Sequence, residues 1–300
     1  MAPEALKAAL HGAIAFPVTP FADDLSLDLD GFRANLRAML AHRIVAIVAP
    51  GGTGEMYSLT PDEHAAVTRA AVEEASDRVP VISGVGFNVP IAAGLARQAA
   101  AVGASGILAF PPYYPQADDD GLFEYYRRIG EATSLGLLVY SRDWVHPGPA
   151  AVARLAAGIP TLVGWKDGQG DIRRLQALRS QVGDRLHWIG GAGDDLVPAY
   201  YSTGIRAFTS SIANIAPHLA VQLHEAAARG DSQTLQPLMD LIVPLYALRA
   251  KRRGYEVTVM KALMNLMGLA GGRVRAPLPE LDAQHLTEVR TLAALWAART

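Results

Sequence analysis

An α/β barrel is the fold this sequence predicts, on three observations. Short β-rich runs alternate with Ala- and Leu-rich amphipathic stretches along most of the chain, the pattern of repeated βα units around a parallel sheet. There are eight such runs, the number that closes a (β/α)8 TIM barrel. The 300 residues, half of them hydrophobic, suffice for one large core at a length common for such barrels.

Taken in order, the strands are expected at 12–16, 44–49, 80–83, 106–109, 136–140, 162–165, 187–190 and 207–209. Helices are expected between them at 29–41, 61–75, 89–102, 121–133, 149–156, 172–182 and 194–202. Asp28 and Thr60 read as N-caps, and Thr60 is followed by Pro61 and by Glu63 three residues on, the pattern of a capping box. After the eighth strand the chain continues as helices near 217–229, 232–250, 255–269 and 283–298. Leu238, Leu241, Ile242, Leu245 and Leu248 recur there at helical spacing, which suits packing on the barrel or on a partner subunit. With no Ser- and Gly-rich linker, the chain reads as one domain, 1–300: a barrel over about 10–230 and a C-terminal helical extension over about 231–300.

A net charge of −2 with both signs scattered gives no basic surface for nucleic acid. The absence of cysteine excludes disulfides and thiolate chemistry and fits a cytoplasmic protein. Residues 1–10 are amphipathic but lack the basic start and apolar centre of a signal peptide. No apolar run reaches the roughly 20 residues that span a bilayer, so a soluble protein without a membrane partner is expected. The eight histidines form no metal pattern with acidic residues. His146 reads as a solvated loop residue, and the basic run at 249–253 as a solvated helix end.

The chemistry of such a barrel sits just beyond the carboxyl ends of its strands. The sixth run ends in Val163-Gly-Trp-Lys-Asp-Gly-Gln-Gly-Asp171, which places Lys166 where a buried strand stops. An amine flanked by apolar residues can be desolvated, which leaves more of it neutral and able to attack a ketone; turn chemistry alone reads it as a surface lysine in a turn. Tyr140 ends the neighbouring fifth run and would stand beside Lys166, in reach to move protons. Arg142 offers a fork for a carboxylate, or a surface salt bridge. Ala49-Pro-Gly-Gly-Thr-Gly-Glu55 follows the second run and is either an ordinary glycine turn or a binding loop, in which Gly52 and Thr53 allow close backbone approach and a hydroxyl for a carboxylate; the spacing is neither that of a P-loop nor of a dinucleotide fingerprint. Ser210 and Ser211 after the eighth run are turn residues or donors to a polyhydroxylated substrate. Phe110-Pro-Pro-Tyr-Tyr-Pro115 after the fourth run brings Tyr114 into the same group.

A Gly-Gly-Thr-Gly-Glu loop after strand two, a tyrosine ending strand five and a lysine ending strand six resemble the dihydrodipicolinate synthase and N-acetylneuraminate lyase superfamily, over nearly the whole chain. The runs Gly51 to Glu63, Lys166-Asp-Gly-Gln-Gly-Asp-Ile172, Arg253-Gly-Tyr255 and Val274-Arg-Ala-Pro-Leu278 are similar to its 5-dehydro-4-deoxyglucarate dehydratase branch. The resemblance implies a barrel with a helical extension, a homo-oligomer (dimer or tetramer) and a small-molecule keto acid substrate. It also implies a Schiff base on Lys166 in place of any metal or organic cofactor, with Tyr140 as proton relay and Gly52 and Thr53 as carboxylate cradle. The reaction it implies is dehydration with decarboxylation of a 2-keto-3-deoxy sugar acid. A keto-deoxy-pentonate dehydratase, a pyruvate-dependent aldolase, dihydrodipicolinate synthase or a non-catalytic keto-acid sensor would use the same parts. Ser141, Tyr114 and Trp144 depart from the branch's usual residues and are expected around the distal part of the substrate.

Overall fold

The computed structural model describes residues 1–299. A short helix α1 (Pro3–Ala9) leads into β1 (Gly12–Ala15), and the chain then alternates: α2 (Leu29–Leu40), β2 (Ala46–Val48), α3 (Pro61–Ala75), β3 (Val81–Val85), α4 (Val89–Ala101), β4 (Gly106–Ala109), α5 (Asp119–Glu131) and β5 (Gly136–Ser141). It continues through α6 (Pro149–Gly158), β6 (Leu162–Asp167), α7 (Ile172–Val182), β7 (His187–Gly190), α8 (Val197–Ser202) and β8 (Ala207–Ser210). The eight strands pair in parallel in sequence order, and β1 closes the ring on β8 with Gly12 opposite Ala207. Four helices follow: α9 (Pro217–Arg229), α10 (Ser232–Arg249), α11 (Tyr255–Leu266) and α12 (Ala283–Ala297). No helix among the described residues is long and apolar enough to cross a membrane.

Apart from the half-buried His187 and Thr209, the strands are buried on both faces, which is why they read as continuous apolar runs rather than as alternating ones. Inside the ring, Ile14, Val48, Ile82, Leu108, Leu138, Val163 and Ile189 form one cluster. The outward-facing residues form a second cluster with the surrounding helices, and Leu238, Leu241, Ile242, Leu245 and Leu248 of α10 are buried in it.

The expected caps are present. Thr60 Oγ1 accepts from the Glu63 amide at 3.2 Å while the Glu63 carboxylate accepts from the Thr60 amide at 2.9 Å, and Asp28 accepts from Gly31 N at 2.8 Å.

Three local departures from the sequence reading matter for the site. First, β6 continues two residues past Trp165, so Lys166 and Asp167 are paired strand residues rather than the start of a turn. Second, the expected helix at 194–202 begins only at Val197, because Asp194–Leu196 forms a 3-10 turn that turns Asp194 inward. Third, residues 1–10 carry a helix the periodicity did not assign. Leu6 and Leu10 of that segment are fully buried beneath the ring. A Cβ on Gly106 or Gly136 would lie 2.4 Å or 2.9 Å from Leu6 Cδ2, so those glycines leave the hollow that α1 fills.

Candidate active site

Parallel pairing sets Tyr140 on β5 directly opposite Lys166 on β6, both at the carboxyl end of the ring. Lys166 is 3% exposed, and its Nζ lies 3.2 Å from the centre of the Tyr140 ring and 5.2 Å from that of Phe16. Nζ donates to the carbonyl of Gly191 at 3.1 Å. Burial holds the amine well below its ordinary pKa, the nearby Arg142 charge pushes the same way, and Asp167 opposes both. The consequence is a larger fraction of neutral amine, the nucleophilic form. Burial raises the Tyr140 phenol, with Arg142 pulling it back, so the hydroxyl keeps its proton at neutral pH and is placed to act as an acid.

Glycines shape the space around this pair. A Cβ on Gly168 would stand 2.5 Å from Tyr140 Cε2, and one on Gly191 would stand 2.6 Å from Lys166 Cγ. Asp167 faces away from the cavity. It accepts from Tyr200 Oη at 2.7 Å and, within the turn, from the amides of Gln169 at 3.3 Å and Gly170 at 3.1 Å, and so pins the turn that follows Lys166. Asp171 caps α7 through the Arg174 amide at 3.0 Å. The Lys-Asp-Gly-Gln-Gly-Asp run thus combines one inward amine with the device that fixes its direction.

The loop after β2 brings Gly52 and Thr53 to the same cavity, which has a volume of about 520 Å³. Its shape is held from behind. Glu55 has a left-handed backbone (φ 53°), and its carboxylate is buried against Lys261 Nζ at 2.5 Å and the Arg275 amide at 3.0 Å. Thr19 Oγ1 donates to the Gly54 carbonyl at 2.7 Å. Arg142 lies between this loop and Tyr140: its Nη1 would be 3.4 Å from a Cβ on Gly52, and its Nε is 3.3 Å from the Asp143 carboxylate.

Ser210 and Ser211 both line the cavity, but their hydroxyls are engaged. Ser210 Oγ accepts from the Ala213 amide at 3.2 Å. Ser211 Oγ stands 3.0 Å from Asp194 Oδ2 and 3.1 Å from Tyr246 Oη, and accepts from Arg249 Nη1 at 2.8 Å. Tyr114 is not brought to the cavity. Pro111 and Pro112 carry the chain away from β4, and the Tyr114 side chain ends 72% exposed.

The three unusual residues do not line the cavity either. Side chains alternate along β5, so with Tyr140 facing in, Ser141 faces out and donates to the Val145 carbonyl at 2.9 Å. Trp144 donates to the Pro112 carbonyl at 3.2 Å and walls a neighbouring cavity of about 510 Å³ with Phe87, Phe110 and Tyr113.

The run at 249–253 is not a uniformly solvated helix end. Arg249, its first residue, is 9% exposed and lines the cavity, because α10 docks its last turn against the segment after β8. His146 is exposed, as expected. Among the described residues no group of three or more acidic or histidine side chains is arranged to hold a metal ion.

A model of the dihydrodipicolinate synthetase family matches residues 9–295. A protein of a Bradyrhizobium species named "Probable 5-dehydro-4-deoxyglucarate dehydratase" is 38% identical over 296 residues, covering 97% of this chain and 95% of the relative. One of the same name from Rhodococcus jostii is 40% identical over 284 residues, covering 94% and 93%. Among solved structures, a dihydrodipicolinate synthase from Oceanobacillus iheyensis superposes with a TM-score of 0.93 at 29% identity, covering 99% of both chains.

Proposed function

The chain belongs to the dihydrodipicolinate synthetase family, and on that premise we propose that it is a Schiff-base lyase acting on a 2-keto-3-deoxy sugar acid, namely 5-dehydro-4-deoxyglucarate dehydratase. The observation that carries the reading is the buried Lys166 amine, held beneath the Tyr140 ring and beside the Gly52–Thr53 loop. Relatives that carry the dehydratase name are 36–40% identical, against 29% for the solved synthase.

In this reading Gly52 and Thr53 receive the carboxylate next to the ketone. Lys166 attacks the carbonyl carbon, and Tyr140 gives the proton that lets the carbinol oxygen leave as water, forming a protonated imine. The imine draws electrons from the adjacent carbon, which loses a proton to give an enamine. The enamine expels the β-hydroxyl, which leaves as a second water. Loss of the distal carboxylate as CO2 and hydrolysis of the imine then release 2,5-dioxopentanoate and the free lysine. Hydrolysis consumes one water, so the balance is one substrate to one dioxo acid, one CO2 and one water. Arg142, beside both Tyr140 and Gly52, orients the substrate's oxygens, and Ser210 and Ser211 form part of the opposite wall. The imine is the electron sink, so the chemistry calls on no organic cofactor.

Association into a homo-oligomer, dimer or tetramer, belongs to the same proposal; the exposed Tyr113 and Tyr114, at 85% and 72%, support it. So does placement in the cytoplasm, which suits a cysteine-free chain.

The test is incubation with 5-dehydro-4-deoxyglucarate while CO2 and 2,5-dioxopentanoate are followed together, with Lys166→Ala as control. Both products from the wild type alone are expected. Pyruvate trapped on Lys166 by borohydride, without CO2 from the sugar acid, would keep the imine and overturn the substrate.

A further inference from the structure

Arg249 is a buried cation for which the protein supplies little compensation. Its guanidinium lies 4.6 Å from the centre of the Tyr246 ring, and Nη1 donates to Ser211 Oγ at 2.8 Å. Nε is buried without a partner. Its charge acts on the Asp195 carboxyl, and Asp194 reaches it only through Ser211, but neither carboxylate is close enough for an ion pair. Asp194 Oδ2 accepts instead from Tyr246 Oη at 2.7 Å and from the amide and hydroxyl of Ser211 at 3.0 Å, and Arg249 forms no ion pair among the described residues. Removing a guanidinium from water without a counter-charge is unfavourable.

The aromatic ring and Ser211 hold one side of the group and Nε is enclosed, so what Arg249 presents to the cavity it lines is the terminal Nη1–Nη2 end. The remaining N–H groups of Nη1 and Nη2 can meet a carboxylate end-on, with charge assistance. The position is on the β7–β8 side of the mouth, apart from the Gly52–Thr53 loop after β2, with Lys166 on β6 sharing the cavity.

We infer that Arg249 is a specificity-determining residue that receives the carboxylate remote from the ketone, so that the site selects 2-keto diacids over 2-keto monoacids of the same length. The inference rests on the Schiff-base reading above and names the end of the substrate that reading leaves open. Asp194, Ser211 and Tyr246 are then positioning residues, which keep the guanidinium flat and its end toward the ligand.

The experiment compares two six-carbon keto acids, 2-oxoadipate and 2-oxohexanoate, by borohydride trapping on Lys166, with pyruvate as a short reference. The wild type is expected to half-saturate with 2-oxoadipate at a concentration roughly ten- to a hundredfold below that for 2-oxohexanoate, the range of a charge-assisted pair of hydrogen bonds. Arg249→Met should erase that ratio while leaving the trapping of pyruvate unchanged, and Arg249→Lys should keep part of it, since it retains the charge and loses the fork. A wild type with no preference, or a preference kept by Arg249→Met and lost in Arg142→Met, would overturn the assignment. If Arg249→Met does not fold, the wild-type ratio and Arg249→Lys decide: a lysine variant with the full wild-type ratio speaks against the fork. Trapping of pyruvate without a diacid preference removes Arg249's role alone, whereas a wild type that traps no keto acid removes the lysine reading and this one with it.

Discussion

Substituting Gly191 by alanine should disable the site without touching any group that reacts. A Cβ there would stand 2.6 Å from Lys166 Cγ, 2.8 Å from Lys166 Cε and 2.7 Å from the Asp167 carbonyl oxygen. Comfortable carbon–carbon contact begins at about 3.5 Å, so the lysine chain must withdraw by roughly 1 Å. The Asp167 oxygen belongs to the backbone of β6 and cannot swing aside, so the strain divides between the two strands. Overpacking of this kind costs about 1–3 kcal/mol, which lowers the melting temperature by a few degrees in a chain of this size. The effect on chemistry is larger, because a reacting group misplaced by about 1 Å loses on the order of a hundredfold in rate. The assay pairs thermal unfolding with the rate of borohydride trapping of pyruvate, and with kcat/KM for the dehydration. Gly148→Ala is the control, since a Cβ there meets nothing within 4 Å and both readouts should stay at wild-type values. A Gly191→Ala protein that traps pyruvate at the wild-type rate would refute the reasoning, and with it the claim that this glycine sets the amine's position.

Two further predictions concern the frame. Lys261→Met should destabilise the protein by about 3–5 kcal/mol, because it leaves the Glu55 carboxylate buried beside an apolar chain, and Glu55→Gln in the same protein should restore much of that loss; equal denaturation midpoints for the single and double variants would contradict it. His187 has its pKa lowered to about 4, first by burial and then by His11, while its Nε2 lies 2.5 Å from the Leu10 carbonyl. Its folded value lies below the ordinary 6.5, so the unfolded chain takes up the proton first. Stability is undiminished above about pH 6.5 and falls by up to about 3 kcal/mol as pH drops to 4, and His187→Gln should flatten that part of the curve of denaturation free energy against pH; parallel curves would show that His187 is not the cause.

The order of the elements was legible because burial on both faces writes each strand as an apolar run, and because Thr60, Glu63 and Asp28 carry cap chemistry in their own neighbourhoods. The closeness of Tyr140 and Lys166 was legible for a related reason: consecutive strands of a barrel are neighbours, so two residues at consecutive strand ends meet. What escaped depends on contacts between distant segments. Arg249 sits at the head of a basic run that looks solvated, and only the docking of α10 buries it. The Glu55–Lys261 pair joins residues more than two-thirds of the chain apart, with no local sign in either. The engagement of Ser211 follows from Asp194 turning inward in a 3-10 turn that periodicity reads as helix. The outward course of Tyr114 has a simpler cause, since proximity to a strand end says nothing about which way a proline pair steers the next residues.

The hollow that receives Leu6 lies at the lower ends of β4 and β5, and a Cβ on Gly136 would also come within 3.2 Å of Val163 on β6. Helix α1 is a wedge driven beneath β4 and β5 that also packs against β6, and so underlies both strands whose upper ends carry the tyrosine and the lysine. Undocking of α1 would withdraw the footing of the reactive pair across the full height of the barrel. The alignment of amine and phenol is thus tied to a helix at the opposite end of the barrel, and hydrogen exchange in β5 and β6 should keep time with the undocking of residues 3–9.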